Sequence, residues 1–155
     1  MNANEREYET AYNAYLAAGL TVFRPNTGIW YTLYRSSPPA FSSTQWGLSS
    51  DILVPGDYNG DGKVEYAVWR PTSGIWYILY EPGSYSCAYW GKEGDTPVPA
   101  DYDLDGKTDI AVWRPSEGVW YILPSNSPGT YTATKWGMEG DVPIPPALGI
   151  LRSIP

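Results

Sequence analysis

The chain has 155 residues, of which 43% are hydrophobic, and a formal net charge of −7. This composition is typical of a globular protein and not of a disordered one. The acidic balance argues against a nucleic-acid partner, because binding to phosphates requires a basic surface.

An N-terminal arm is predicted over residues 1–19. Asn4 followed by Glu7 matches a helix N-cap with an acidic residue three positions later. Aromatic and apolar side chains then recur at helical spacing from Tyr8 to Leu16, which predicts a short amphipathic helix. An extra strand is the alternative, because tyrosines also alternate with glutamates in this stretch.

The start of the chain carries glutamates where a secretory signal peptide would carry basic residues, so no signal peptide is predicted. No run approaches the roughly 20 apolar residues of a membrane-spanning helix, so no membrane span is expected. An extracellular or virion-associated location is favoured, and a cytosolic one stays open.

An eleven-residue pattern occurs three times, at residues 21–31, 67–77 and 111–121. Its tryptophans lie 46 residues apart from Trp30 to Trp76 and 44 apart from Trp76 to Trp120. A period of this size indicates one supersecondary unit used repeatedly, in which each unit needs its neighbours to bury its apolar face. The predicted repeats are residues 20–50, 51–94 and 95–140, followed by a partial strand over 141–155.

Each repeat is predicted to form four short antiparallel strands, because runs of β-branched and aromatic residues alternate with turn residues. In the middle copy the predicted strands are residues 52–58, 66–70, 75–80 and 85–91, and in the last copy 98–101, 110–114, 119–123 and 131–136. Four strands in about 45 residues is the size of a β-propeller blade. The predicted fold is therefore all-β, with about three blades over residues 20–155.

The tryptophans recur at fixed positions of the repeat. We expect most of these rings to fill the space between blades, and stacking on a ligand is the alternative for some of them. The lone cysteine, Cys87, is expected to be a small buried hydrophobe.

Both ends of the repeated region are incomplete. The first copy has no polar loop before Thr21, and a fourth copy begins at Asp141 but does not continue with that loop. Propellers usually close with about four to eight blades, and a soluble monomer does not leave broad blade faces exposed. A homo-oligomer is predicted, and the favoured form is a dimer that makes a six-bladed ring, the C-terminal strand of one chain pairing into the first blade of the next. A trimer and a fragment of a longer polypeptide are the alternatives.

Two polar loops carry oxygen side chains at positions 1, 3, 5 and 9 and glycine at position 6. The side chains are Asp57, Asn59, Asp61 and Glu65 in the first loop, and Asp101, Asp103, Asp105 and Asp109 in the second. Alternate residues of a curled loop point inward, and position 7, Lys63 or Lys107, offers its backbone carbonyl. This donor set suits Ca²⁺ better than Mg²⁺ or zinc.

The loops begin like an EF-hand loop, but position 12 is valine and the flanking segments are predicted strands. An Asp/Gly-rich turn without a metal is the alternative.

The loops and the strands that follow them resemble the FG-GAP/VCBS-type repeats of integrin-like β-propellers, in the variant whose strand reads A-V-W-R-P. That strand is Ala67 to Pro71 and Ala111 to Pro115, and the resemblance covers roughly residues 20–145. It implies structural Ca²⁺ in the hairpin between the first two strands of a blade. The implied ligands are those of the two loops, with Lys63 and Lys107 contributing carbonyls.

The absence of histidine and of a second cysteine excludes a serine triad or a Cys–His pair, so no enzymatic activity is expected. The resemblance implies a binding or adhesion module, with a glycan or a protein as its ligand. Candidate carbohydrate-binding residues are Tyr58, Tyr102, Trp90 and Trp136, whose rings could stack on a sugar. The alternative is a structural assembly protein, such as a decoration subunit of a virion or surface layer.

Overall fold

The computed structural model describes residues 19–35, 38–81, 83–127 and 129–146. Over these residues the protein is all-β, with eleven strands and no helix. The predicted N-terminal helix lies outside the described residues. The described part of the chain also contains no helix long and apolar enough to cross a membrane. The chain divides between Ser49 and Ser50 into two compact units.

The first unit contains a three-stranded antiparallel sheet. Its strands, in sequence and spatial order, are β1 (Leu20–Arg24), β2 (Ile29–Tyr34) and β3 (Ala40–Gln45). Trp30 on the central strand is buried, whereas Leu20 and Val22 on the edge strand β1 are exposed.

The second unit contains two four-stranded antiparallel sheets, each a meander with strands in sequence order. The second sheet consists of β4 (Ile52–Leu53), β5 (Tyr66–Arg70), β6 (Ile75–Glu81) and β7 (Ser84–Tyr89). The third sheet consists of β8 (Thr96–Pro97), β9 (Ile110–Arg114), β10 (Val119–Leu123) and β11 (Thr132–Lys135). The three sheets have the same strand order, except that among the described residues the first sheet has no strand in front of β1.

The hairpin between the middle strands has the same form in all three sheets. In the second sheet the amide of Gly74 donates to the carbonyl of Arg70 at 2.9 Å, and Gly74 has a φ of 67°. A Cβ at this position would collide with the carbonyl oxygen of Gly91, which approaches from the end of β7. The recurring Arg-Pro-x-x-Gly sequence is explained by this turn, because only glycine combines the positive φ with the close approach.

The core of the second unit lies between its two sheets. Trp69 and Trp76 of the second sheet are fully buried in one cluster with Val112 of the third. The indole Nε1 atoms of both tryptophans donate to the backbone carbonyl of Trp90, at 3.1 and 3.0 Å. The buried rings are therefore packed and hydrogen-bonded, as large aromatic core residues require.

A bidentate ion pair joins the start of each four-stranded sheet to its second strand. In the third sheet Arg114 donates from Nε and Nη2 to the carboxylate of Asp95, at 2.8 and 2.9 Å. In the second sheet Arg70 makes the same two bonds to Asp51, at 2.8 and 2.9 Å. Both carboxylates are buried, and the paired geometry raises the pKa of Arg114.

Three details of the predicted strands and core are wrong. The first strand of the middle copy is Ile52–Leu53 instead of 52–58, and that of the last copy is Thr96–Pro97 instead of 98–101. Pro55 and Pro99 have no N–H to donate, and beyond them only an isolated bridge continues each pairing. Cys87 is exposed instead of buried. It lies on the outer strand β7 and shares a face with exposed tyrosines.

The ion pair of the third sheet yields a first prediction. Replacing Arg114 by methionine leaves the buried carboxylate of Asp95 without its partner, so we expect the free energy of unfolding to fall by about 3 kcal/mol. Urea denaturation measures this change. Lys92→Met is the control: its ion pair with Glu117 is exposed at 3.8 Å, and its loss should change stability by less than about 0.5 kcal/mol. Equal effects of the two substitutions would contradict the prediction.

Candidate metal centres

The first polar loop, residues 57–65, connects β4 to β5. Its neck is closed by an isolated bridge in which the amide of Glu65 donates to the carbonyl of Gly56 at 2.8 Å. Carboxylate oxygens of Asp57, Asp61 and Glu65 all lie within 4.8 Å of one another. The structure therefore brings together the three acidic side chains of this loop, in a group that could hold a metal ion.

The loop is shaped by hydrogen bonds that its backbone N–H groups donate to its own aspartate and asparagine side chains. The two carboxylate oxygens of Asp57 accept from the amides of Gly60 and Gly62, at 2.6 and 2.8 Å. Asn59 accepts from the amide of Asp61 at 2.7 Å through its side-chain oxygen. These local bonds curl the chain around the side chains, which is the behaviour expected of Asp and Asn in turns.

Glu65 is the buried member of the first loop. Its carboxylate accepts from the amide of Tyr58 at 2.7 Å and from Nδ2 of Asn59 at 3.2 Å. Burial, and then the negative charges of Asp57 and Asp61, raise the pKa of Glu65. A bound cation would relieve this repulsion.

The second loop, residues 101–109, connects β8 to β9 and has a different acidic group. Carboxylate oxygens of Asp101, Asp103 and Asp109 lie within 4.8 Å of one another. Asp109 is fully buried and accepts from the amides of Tyr102 and Ser125, at 2.8 and 2.7 Å. Partial desolvation, and then the charge of Asp109, raise the pKa of Asp103.

Asp105 lies outside this acidic group, although the sequence pattern treats it like Asp61. Its carboxylate accepts from the hydroxyl of Ser125 and from the amide of Lys107, both at 2.8 Å. These bonds lower the pKa of Asp105. Ser125 was not predicted, because it follows β10 and reaches the loop only through the fold.

The two loops are in contact. The amide of Thr108 donates to the carbonyl of Asp57 at 2.6 Å, so the second loop packs on the first. A Cβ on Gly56 would lie 2.7 Å from the hydroxyl oxygen of Thr108, which explains the glycine there. The predicted role of the Lys63 and Lys107 carbonyls as ligands stays a prediction.

The four candidate carbohydrate-binding aromatics have different surroundings. Tyr58 is buried and Tyr102 half-buried, and each hydroxyl donates to a backbone carbonyl at 2.7 Å. Trp90 is half-buried and donates from Nε1 to a carbonyl of the third sheet at 3.0 Å. Trp136 is 77% exposed and lines a cavity of 320 Å³. Trp136 is the one of the four whose ring is largely available to a ligand.

Comparison of this chain with models of known protein families, with curated proteins and with solved structures finds no match.

The second loop yields a prediction for the metal-free protein. In the wild-type protein the buried carboxylate of Asp109 accepts hydrogen bonds from two backbone N–H groups, and Asp109→Asn puts an amide group in its place. In EDTA we therefore expect the free energy of unfolding to fall by about 2 kcal/mol. Asp103→Asn removes a repelling charge at an exposed position and should leave stability unchanged or slightly raised. Thermal and urea unfolding of both variants in EDTA measure the difference. A larger loss for Asp103→Asn would show that Asp109 does not anchor the loop.

Proposed function

We propose that this chain is a non-enzymatic, calcium-stabilised β-propeller module that serves binding or adhesion. The observation that carries the proposal is the acidic loop that occurs at the same place in both four-stranded sheets. Each loop connects the first strand of its sheet to the second and groups three carboxylates within 4.8 Å. This arrangement agrees with the resemblance of the sequence to FG-GAP/VCBS-type repeats.

The propeller architecture is supported by the repetition of one meander. The two complete sheets have the same strand order, and the three-stranded sheet has the same hairpin and the same Trp-to-carbonyl bond. In that bond Nε1 of Trp30, Trp76 or Trp120 donates to the carbonyl of the tryptophan after the last strand, at 2.8 to 3.0 Å. Four-stranded antiparallel sheets of about this length form the blades of a propeller when they are arranged radially. Self-association would complete the ring.

Calcium is proposed on the chemistry of the donors. The grouped atoms are carboxylate oxygens of polar loops, and oxygen ligands suit the six to eight ligands and variable geometry of Ca²⁺. The chain has no histidine and a single cysteine, so the usual ligands of zinc are lacking. In this proposal the carboxylates hold a structural ion and take no catalytic role.

Trp136 carries the carbohydrate-binding part of the proposal. Its exposed ring lies beside Trp120 and Asp141 along the same cavity, and an aromatic face next to a carboxylate suits a sugar. A second candidate function is a structural assembly subunit. It is favoured by the neighbouring apolar residues Val142 and Ile144, which are exposed as they would be on a surface that another chain covers.

Calcium binding yields a direct test. At a free concentration of about 100 times its dissociation constant, an ion that binds only the folded state adds about 2.7 kcal/mol of stability per site. We therefore expect calcium to raise the melting temperature, and isothermal titration calorimetry to detect binding that EDTA abolishes.

The variant for this test is Asp57→Asn combined with Asp101→Asn, which should lose the calcium-dependent shift. Glu93→Gln, at an exposed position outside both loops, is the control and should retain it. An unchanged melting curve of the wild-type protein in calcium would refute the calcium proposal.

A glycan array tests the carbohydrate hypothesis. We expect Trp136→Ala to abolish binding that the wild-type protein shows, because the stacking surface is lost. The array should be run with and without EDTA, and the fold of the variant checked by circular dichroism. If the wild-type protein binds no glycan, the assembly subunit becomes the better function.

A further inference from the structure

The outer face of the third sheet is the side that carries Trp136. It has the counterparts of the residues by which the second sheet contacts the third. Within the second unit, Nε1 of Trp90 donates to the carbonyl of Tyr121 at 3.0 Å. A Cβ on Gly91 would lie 2.9 Å from the side chain of Val112, so the glycine makes room for that valine. The third repeat has Trp136 at the position of Trp90, and there the ring is 77% exposed.

The third sheet contacts the second through a small set of residues, and the first sheet has a counterpart of each of them. They are Val22 for Val112, Tyr31 for Tyr121 and Phe41 for Tyr131, the ring that contacts Trp90 at 5.4 Å between centroids. Val22 is 64% exposed, whereas Val112 is fully buried. The first sheet therefore offers a matching apolar face that no described residue covers.

Arg24 makes the same contacts with its neighbouring tyrosine as the arginines of the two ion pairs, but it lacks the aspartate partner. Its Nη1 donates to the hydroxyl of Tyr31 at 3.0 Å, and its guanidinium lies 4.6 Å from the centroid of that ring. Arg70 makes the same contacts with Tyr77 and uses Nε and Nη2 for Asp51. In Arg24 this Nε–Nη2 edge has no carboxylate partner among the described residues.

Asp141 accepts the same backbone hydrogen bond as Asp95 of the ion pair in the third sheet, but it lacks the arginine partner. Its carboxylate accepts from the amide of Met138 at 2.9 Å, as that of Asp95 accepts from Lys92 at 3.0 Å. Asp95 in addition binds Arg114. No described residue presents a guanidinium to Asp141, which is exposed.

We infer that the outer face of the third sheet binds the first sheet of a second copy of this chain, with Asp141 paired to Arg24 of that copy. The register follows from β8 and β9, where Thr96 lies opposite Trp113 and Pro97 opposite Val112. Residues 142 and 143 of one copy then lie opposite residues 23 and 22 of the other. The inference rests on the proposed function in that it treats the sheets as successive blades, and it replaces the carbohydrate part of that proposal, because the interface would cover the ring of Trp136 and pair Asp141.

The pairing completes the first sheet. β1 is an edge strand, and residues 141–144 would add the fourth strand in front of it. Ile144, which is 78% exposed, would take the buried position that Val98 occupies at 2% exposure. Two copies make two such contacts, since each supplies one third sheet and one first sheet.

The test is charge reversal of the full chain, with the mass measured by light scattering at micromolar concentration. We expect the wild-type protein to have the mass of two chains of 17.2 kDa each. Asp141→Arg and Arg24→Asp should each weaken association at least about tenfold, because each places like charges in contact at a desolvated site. Glu139→Arg, an equal charge change at an exposed neighbour, is the control and should keep the wild-type mass.

Mixing the two reversed variants gives the decisive result. In the mixed dimer each contact again pairs one aspartate with one arginine, so the mass of two chains should return. A single-chain mass of the wild-type protein, an unchanged mass of both variants, or no recovery on mixing would each overturn the inference. If a reversed variant fails to fold, Val22→Glu replaces it, since this side chain is exposed in the single chain.

The same masses measured in EDTA separate this inference from the calcium proposal. Association with the expected charge dependence in a protein that binds no calcium would uphold the interface and refute only the metal. Calcium binding by a protein with the mass of a single chain would uphold the calcium proposal and refute the interface.

Discussion

The fold of the second unit depends on the burial of the second sheet's tryptophans against the third sheet. Trp69 and Trp76 are fully buried because they share a cluster with Val112 of the following sheet. A small antiparallel sheet cannot bury such a face alone, so the stability of a repeat lies largely in its contacts with its neighbours. Trp136 shows the same dependence: it is the counterpart of the half-buried Trp90, and where no described sheet follows, its ring is 77% exposed.

Each acidic loop ends on a buried carboxylate, Glu65 in the first and Asp109 in the second. The backbones of Asp109 and Glu65 form the bridges that close the necks of their loops. Their side chains accept hydrogen bonds from backbone N–H groups inside the loop. A buried carboxylate is tolerated because these donors satisfy it. The other acidic side chains are then brought close to this carboxylate, and their mutual repulsion is the feature that a cation would relieve.

The sequence predicted the middle strands of the complete sheets well, because strict alternation and the Arg-Pro-x-x-Gly turn mark both strands of the hairpin. The first strands were harder to place, since Pro55 and Pro99 shorten a ladder by an amount that local pattern does not specify. The sequence also identified the loops as acidic clusters. It could not separate Asp105 from its neighbours, because that difference depends on Ser125, which only the tertiary fold brings to the loop.

In the proposed dimer, charge gives the outer face of the third sheet its selectivity for a partner. An apolar surface around Trp136 would accept many partners, and exposed residues such as Val142 add area without fixing a register. Asp141 costs little while it is exposed to water, but a partner that buries it must present a guanidinium at one position. Arg24 is held for such a contact by Tyr31. In the proposed dimer a buried ion pair would therefore exclude most apolar partners, and this constraint favours a second copy of the chain over an unrelated surface.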